Sequence, residues 1–443
     1  MLQTIRNAWK IADLRKKLLF TFAILLLYRL GNVIPVPFVD TETMYNWFQS
    51  SSLQNSVLGL FNMMSGSAFS RATLFALAIQ PYINASIIIQ LLTIAIPALE
   101  RLSKEGGEEG RKKIEKITRY TTVGLGLLMG WAYWVMLKNA DASSIAQGTG
   151  AVLVNKGFLP ALTVILSFTA GSALVMWMGE QITEFGIGNG ISMILFANIV
   201  ARLPSMIGNL LFGDGKTTGL FHDPAGYWYV ALVALVGMLA LIMFIVFITN
   251  AERRVPVSYA KRVVGRKVYG GQNTFLPIKV NMSGVLPIIF AQSVATLPAT
   301  IAAFAGNTET WRYKNLWSNT SVFYLVMYLL LIIGFSYFYA TIQYNPVEVS
   351  NNLRKNGGFI PGYRPGRPTS DFIARVINKI TLFGAIFLGI VAILPNLVGM
   401  INAKFSSMAV GGTSVIIVVA VALETVQAIE AQMMMRHYKG FLE

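Results

Sequence analysis

Chemistry at a protein site usually begins with histidine, cysteine or clustered carboxylates, and this chain is poor in all three. It has two histidines, His222 and His437, and no cysteine. An HExxH zinc motif therefore cannot be assembled, and thiolate nucleophiles, disulfides and Cys-based metal sites drop out together. The run GDGKTTG, Gly213 to Gly219, has the outline of a phosphate loop, but Leu210 stands where the first glycine of that motif belongs. An ordinary turn-rich loop explains it better. Pumps and coupled transporters need ionisable groups at membrane depth. The central stretches of the apolar segments near 72–96, 119–137, 283–304 and 321–342 contain none, and Glu424 and Glu430 sit toward one end of the last apolar segment. No catalytic constellation and no metal site is expected.

What recurs instead is branched aliphatics beside breaks in apolar runs. Ile79 and Ile83 flank Pro81 at a spacing of i, i+4, which puts both on one helix face. Ile191 and Leu195 repeat that spacing just after GIGNG, Gly186 to Gly190. Ile289 follows Pro287, and Ile417 follows the GGTS turn, Gly411 to Ser414. Spacing alone favours lipid-facing or packed side chains at these positions. The functional reading is a hydrophobic constriction, which closes a pore by dewetting rather than by charge.

The elements that must position these residues are membrane spans. The chain has 443 residues, 54% hydrophobic and only 13% charged, with a formal charge of +16. Soluble domains average about 25% charged residues, and the mean hydropathy here is +0.57. A spanning helix needs roughly 20 apolar residues, and candidate spans lie near 18–34, 72–96, 119–137, 159–178, 186–203, 227–249, 283–304, 321–342, 379–399 and 409–428. The first contains Arg29, able to snorkel to the outer interface. The basic start leads into a span without a small-residue cleavage site, so no cleavable signal pattern is expected.

Lys and Arg fix the orientation. One set of loops carries 27 of them, and the opposite set carries eight: Arg71, Lys138, Lys156, Arg202, Lys216, Arg312, Lys314 and Lys404. The positive-inside rule puts both termini in the cytoplasm. The short acidic loop GEQITEFG, Gly179 to Gly186, is a local exception. Five spans per half, an odd number, force the halves 1–205 and 206–443 into opposite orientations, which suits an inverted repeat with its site between them. The fold expected is therefore an all-α polytopic membrane protein, with ten transmembrane helices in two inverted five-helix halves.

Two further features need a purpose. The apolar piece from Leu58 to Met64 is about two helical turns long and cannot cross a bilayer. Two basic cytoplasmic loops, about 250–281 and 344–378, are long and scaffolded by Gly and Pro. The first alternates apolar and basic residues up to Gly-Gly, which suggests a projecting hairpin or short strands. In the second, Arg364 precedes Pro365 between two Pro-Gly turns and should be held out on a stiff tip. Topogenic charge accounts for the number of basic residues. The scaffolding points to docking of something acidic, RNA or protein.

The stretches FNMMSGSAFSRATLFALAIQPYINASIIIQLL, GEQITEFGIGNGIS, SYAKRVVGRKVYGGQNTFLPIKVNMSGVLP, NPVEVSNNLRKNGGFIPGYRPGRPT and GGTSVIIVVAV resemble the SecY family, the channel subunits of the bacterial protein-conducting translocon. They occur in order in both halves. Segments around 140–157, 208–226 and 306–320 add nothing to the likeness. The resemblance implies two inverted halves around a central pore whose waist is ringed by Ile79, Ile83, Ile191, Leu195, Ile289 and Ile417. Leu195 stands where a family member carries isoleucine, a change that keeps an apolar seal. The resemblance also implies a plug at roughly 56–67, with Leu58, Leu60, Phe61, Asn62, Met63 and Met64 at its centre. A lateral gate would lie between the second and seventh spans, beside the third and eighth, with Asn84, Gln90 and Gln292 as polar members. Docking of the ribosome, through its RNA and protein near the exit tunnel, and of the motor ATPase SecA falls to Arg266, Lys267 and Arg364. SecE and SecG are the implied small membrane partners, a preprotein signal sequence the client and the cytoplasmic membrane the site; no cofactor is implied. Two competing readings follow from the residues alone. One is a secondary transporter of a small solute, which ten spans would suit but which lacks a protonatable midplane site. The other is an intramembrane enzyme or insertase, which lacks a catalytic constellation.

Overall fold

A computed structural model of the chain describes residues 2–50, 57–104, 106–146, 150–205, 208, 228–259, 262–264, 267–269, 273–282, 284–304, 321–401 and 412–439. The N-terminal part runs α1 (Leu2–Lys10), α2 (Ala12–Gly31), α3 (Thr41–Ser50), α4 (Val57–Met64), α5 (Gln80–Ala95), α6 (Pro97–Lys104), α7 (Gly107–Ala146), α8 (Phe158–Phe185) and α9 (Gly190–Val200). Then come α10 (Trp228–Thr249), strands β1 (Glu252–Tyr259), β2 (Arg262–Val264), β3 (Lys267–Tyr269) and β4 (Asn273–Lys279), and α11 (Leu286–Phe304). The chain continues through α12 (Val322–Gln343), α13 (Pro346–Lys355), β5 (Gly358–Phe359), α14 (Arg367–Ile401) and α15 (Gly412–Lys439).

Each of the ten apolar segments carries a helix, but not always of the expected extent. Five described helices are long and apolar enough to cross a membrane alone, and α5 with α6 forms a further pair bent by 104°. Helix α9 and the apolar parts of α10 and α11 are shorter. At about 1.5 Å per residue, the 40-residue α7 is about 60 Å long, twice the roughly 30 Å of hydrocarbon. Much of the expected loop at 101–119 is therefore helix. Its charges pair along the helix surface, Lys113 with Glu109 at 3.1 Å and Arg111 with Glu115 at 3.3 Å.

The segment 72–96 is not one helix. Residues 65–79 run as turns, Thr73 forms an antiparallel bridge with Pro35, and the Leu74 amide donates to the Ile34 carbonyl at 2.9 Å. Ala72 and Ala78 both have φ of 46°, a left-handed setting through which a right-handed helix does not propagate. Pro81 then sits in the first turn of α5 rather than interrupting its middle. Its missing amide costs nothing there, because first-turn amides have no intrahelical acceptor.

Two other expected breaks are corrected. Gly179 to Phe185 is not a loop but the last turns of α8, where Glu180 accepts from Arg119 of α7 at 2.9 Å. The real break is 186–189, where Gly188 has φ of 75° and the Asn189 side chain caps α9 by accepting from the Ile191 and Ser192 amides. A side chain at Gly190 would run into the Gly179 carbonyl, so α9 folds back tightly on α8. Gly412 to Ser414 likewise belong to α15, not to a turn preceding it.

Candidate functional site

The six spaced aliphatics meet in one place. Ile79, Ile83, Leu195, Ile289 and Ile417 are all buried in a single hydrophobic cluster, and Ile191 packs against it. None exceeds 2% exposure among the five buried ones. They arrive from four helices: Ile79 at the mouth of α5 with Ile83 one turn in, Ile191 and Leu195 on α9, Ile289 on α11 and Ile417 on α15. Gly179 of α8 lies against Ile79: a Cβ there would stand 3.4 Å from the Ile79 Cδ1, in ordinary van der Waals contact. Burying each such side chain is worth about 2 kcal/mol. The chemistry of this centre is exclusion, because aliphatic side chains neither bind nor solvate an ion.

Helix α4 sits beside this cluster, against α9 and α11. Leu58, Asn62, Met63 and Met64 are buried and Phe61 is half-buried. The side chain of Leu60 lies outside the described residues. A small void between α4 and the cluster is lined by Phe61, Met64, Ile79, Gln80 and Leu195, among others. Ser414 donates from its hydroxyl to the Met63 sulfur at 3.1 Å, tying α4 to α15.

The seam between α5 and α11–α12 is polar where the helices meet. Tyr339 of α12 donates its hydroxyl to Gln90 Oε1 at 2.5 Å, and Gln80 donates to the Ser293 hydroxyl at 3.3 Å. Gln90 is thus placed across the seam. Gln292 is buried on α11, with an Oε1 that accepts no hydrogen bond among the described residues. Asn84 is half-buried on α5. Gln80, Ser293 and Tyr339 escaped the sequence reading. Gln80 was legible as a polar residue between Ile79 and Pro81, whereas the other two needed the pairing of helices.

The two basic loops form one folded unit. Strand β1 pairs antiparallel with β4, Val255 opposite Leu276, and β5 from the second loop adds to the far edge of β1 through Ser258 and Phe359. Val255, Val257, Ile278, Ile360, Ile373 and Ile377 make its core. The alternation seen in the sequence is the period of two that buries one face of a strand. A smaller hairpin, β2–β3, carries Lys267 as the first residue of β3; Arg266 and the Lys267 side chain lie outside the described residues. Arg364 is exposed, between Gly362 at φ 86° and Gly366 at φ 106°, and its carbonyl accepts from the Thr369 hydroxyl at 2.8 Å.

Of the acidic residues near the last span, Glu424 accepts from the Val285 amide and so caps the N-terminal end of α11, where a carboxylate is favoured by the helix dipole. Glu430 accepts from the Thr4 hydroxyl at 3.0 Å. Both groups are engaged in holding helices together. Among the described residues no group of three His, Cys, Asp or Glu could hold a metal ion. The run 213–219 and His222 lie outside the described residues, as does the His437 side chain.

Long apolar helices gathered around a buried aliphatic cluster, with a non-spanning helix beside it and a basic unit at one end, describe a polytopic membrane channel. The fold is shared with a solved "protein conducting channel", with a TM-score of 0.65 at 16% identity over 94% of this chain and 91% of that one. It is also shared with Sec61 in the canine ribosome-channel complex from the endoplasmic reticulum, with a TM-score of 0.60 at 16% identity over the same shares. The SecY family model matches residues 73–426. Protein translocase subunit SecY of Streptomyces galbus is 42% identical over 445 residues, covering all of both chains. The Thermotoga maritima subunit is 40% identical over 449 residues, all of this chain and 98% of that one. The chain belongs to the SecY family. It is a multi-pass membrane protein acting as a protein-conducting translocation channel, and none of these relatives is a solute carrier.

Proposed function

We propose that the chain passes unfolded preproteins across the bacterial cytoplasmic membrane and releases signal sequences and membrane segments sideways into it. The observation that carries the reading is the convergence of Ile79, Ile83, Ile191, Leu195, Ile289 and Ile417 from four helices into one buried cluster. In this reading the cluster is the pore waist, α4 is the plug, and the α5 to α11–α12 seam, flanked by α7, is the lateral gate. A ring of flexible aliphatics closes around any polypeptide without selecting its sequence, while its low polarity keeps ions out. A charged filter would have neither property. The halves 1–205 and 206–443 pack around the pore in opposite orientations, with both termini in the cytoplasm. No covalent chemistry and no cofactor is assigned. Energy comes from the ribosome or from ATP hydrolysed by SecA, which dock on the basic unit through Arg266, Lys267 and Arg364. SecE and SecG complete the complex. Solved structures that share the fold include Sec61 in a canine ribosome-channel complex and an idle yeast Ssh1 complex bound to the 80S ribosome, which favours a ribosome as a partner here. The test is reconstitution of the purified chain with SecE into vesicles. SecA- and ATP-dependent uptake of a preprotein is expected, and failure of uptake in vesicles with correctly inserted complex would overturn the reading.

A further inference from the structure

Helix α4 ends in a knot of buried polar groups outside both the aliphatic ring and the gate seam. The chain leaves α4 at Met64 and turns through Gly66 and Ser67, with φ of 66° and 74°. The turn is tied to itself. The Ser67 amide donates to the Asn62 carbonyl at 2.9 Å, the Ser70 amide to Asn62 Oδ1 at 3.0 Å, and the Phe69 amide to the Ser65 hydroxyl at 3.0 Å. One side chain enters from another helix. Asn198 of α9, 0% exposed, donates from Nδ2 to the Met64 carbonyl at 2.7 Å and to the Tyr28 hydroxyl at 2.8 Å. Asn32, just past α2, donates to the Ser65 carbonyl at 3.4 Å. A Cβ at Gly66 would lie 2.7 Å from Arg29 Nη1 and 3.0 Å from Asn198 Oδ1, so both side chains close on the turn.

Asn198 is out of character with its surroundings. Its neighbours on α9, Ile194, Leu195 and Ile199, are buried in the aliphatic cluster. Its own Oδ1 accepts no hydrogen bond among the described residues. A buried amide with an unpaired oxygen is destabilising relative to an apolar side chain of similar size. Local conflicts of this kind are expected at functional or strained sites. The spacing says which function. Ile191, Leu195 and Asn198 stand at i, i+4 and i+7, one face of an 11-residue helix. That face carries two ring side chains and, a turn beyond them, the bond to the last carbonyl of α4. The helix is attached to α8 through the GIGNG break, with Gly188 at φ 75°. A helix moves as a rod, so a displacement at Leu195 is delivered to Asn198.

We propose that Asn198 is a positioning residue that couples the ring to the plug. Its amide pins the Met64 carbonyl while the ring is closed. A polypeptide that widens the ring displaces α9, withdraws the amide and frees α4. The proposal rests on the ring-and-plug reading above.

Hydrogen–deuterium exchange of residues 57–70, measured on the purified complex with and without a stalled preprotein, tests it. In the parent, the stalled preprotein should accelerate exchange in this segment. In Asn198→Leu the idle complex should already exchange there roughly fivefold faster, the change expected for one buried hydrogen bond. The preprotein should then add little, and peptides from 158–178 should keep their protection. Parent-like protection of 57–70 in Asn198→Leu overturns the proposal, and so does equal loss of protection in 158–178. If Asn198→Leu does not accumulate, Tyr28→Phe serves instead. It retains the ring stacked on Phe75 at 5.5 Å and removes the hydroxyl that orients the amide. A smaller acceleration confined to 57–70 is expected, and none overturns the proposal. Ion leak through Ile79→Ser, recorded in parallel, separates the premises. Absence of leak defeats the ring reading itself, whereas leak with unchanged exchange in Asn198→Leu defeats only the coupling.

Discussion

On the reading proposed above, in which the seam between α5 and α11–α12 is the lateral gate, Tyr339→Phe should open it more readily by about the worth of one hydrogen bond. The Tyr339 ring is buried, packed 5.3 Å from Phe290 and 5.6 Å from Phe338. Phenylalanine keeps that packing and loses only the hydroxyl that donates to Gln90 Oε1. Gln90 keeps its donation to the Ser86 hydroxyl at 3.1 Å, so its side chain stays in place. A single hydrogen bond contributes about 1 kcal/mol net. Because this bond joins α5 to α12 across the seam, its loss penalises the closed gate alone. The closed-to-open ratio should fall roughly fivefold. The assay is export of a preprotein whose signal sequence has been weakened until the parent channel handles it poorly. Tyr339→Phe should raise that export severalfold and leave a strong signal sequence little changed. Gln90→Leu should act in the same direction, and the double variant should add little, giving a coupling energy of about 1 kcal/mol. Export at or below the parent level, or full additivity, would refute the latch.

Three further outcomes follow from the same geometry. Ile79→Ser combined with Ile289→Ser replaces two buried ring side chains by small hydroxyls, and single-channel recordings of the idle complex should show ion leakage that the parent lacks. Arg364→Glu reverses charge on an exposed tip held by Gly362 and Gly366; SecA-driven export should fall while co-purification of SecE is unchanged. Gly171→Val drives a side chain into the Leu74 carbonyl beneath α8. Overpacking of this kind costs about 1–3 kcal/mol, so the thermal midpoint of the purified complex should drop with no change in SecA binding.

Composition and charge were enough for much of this protein. With 54% hydrophobic residues and a basic excess confined to alternate loops, the chain had to be polytopic, because that many apolar side chains find no other solvent. The period-two alternation in 250–281 announced strands, since only a strand alternates its faces residue by residue. Glycine and proline marked the breaks but not their extent. GIGNG ended α8 seven residues later than the acidic run suggested, because glutamate and glutamine continue a helix readily.

Other features belonged to the tertiary structure. Ile79 and Ile83 are related by helix periodicity, but their meeting with Ile289 and Ile417 joins positions more than 200 residues apart, and nothing local encodes that distance. The same holds for Tyr339 with Gln90, for β5 added to β1, and for Asn198 beneath the last carbonyl of α4. An asparagine in an apolar helix reads the same whether it faces lipid, a neighbour or a plug. Residue type sets which bonds a side chain can make; only the packing of distant helices decides which partner it finds, because burial excludes the water that would otherwise take that partner's place.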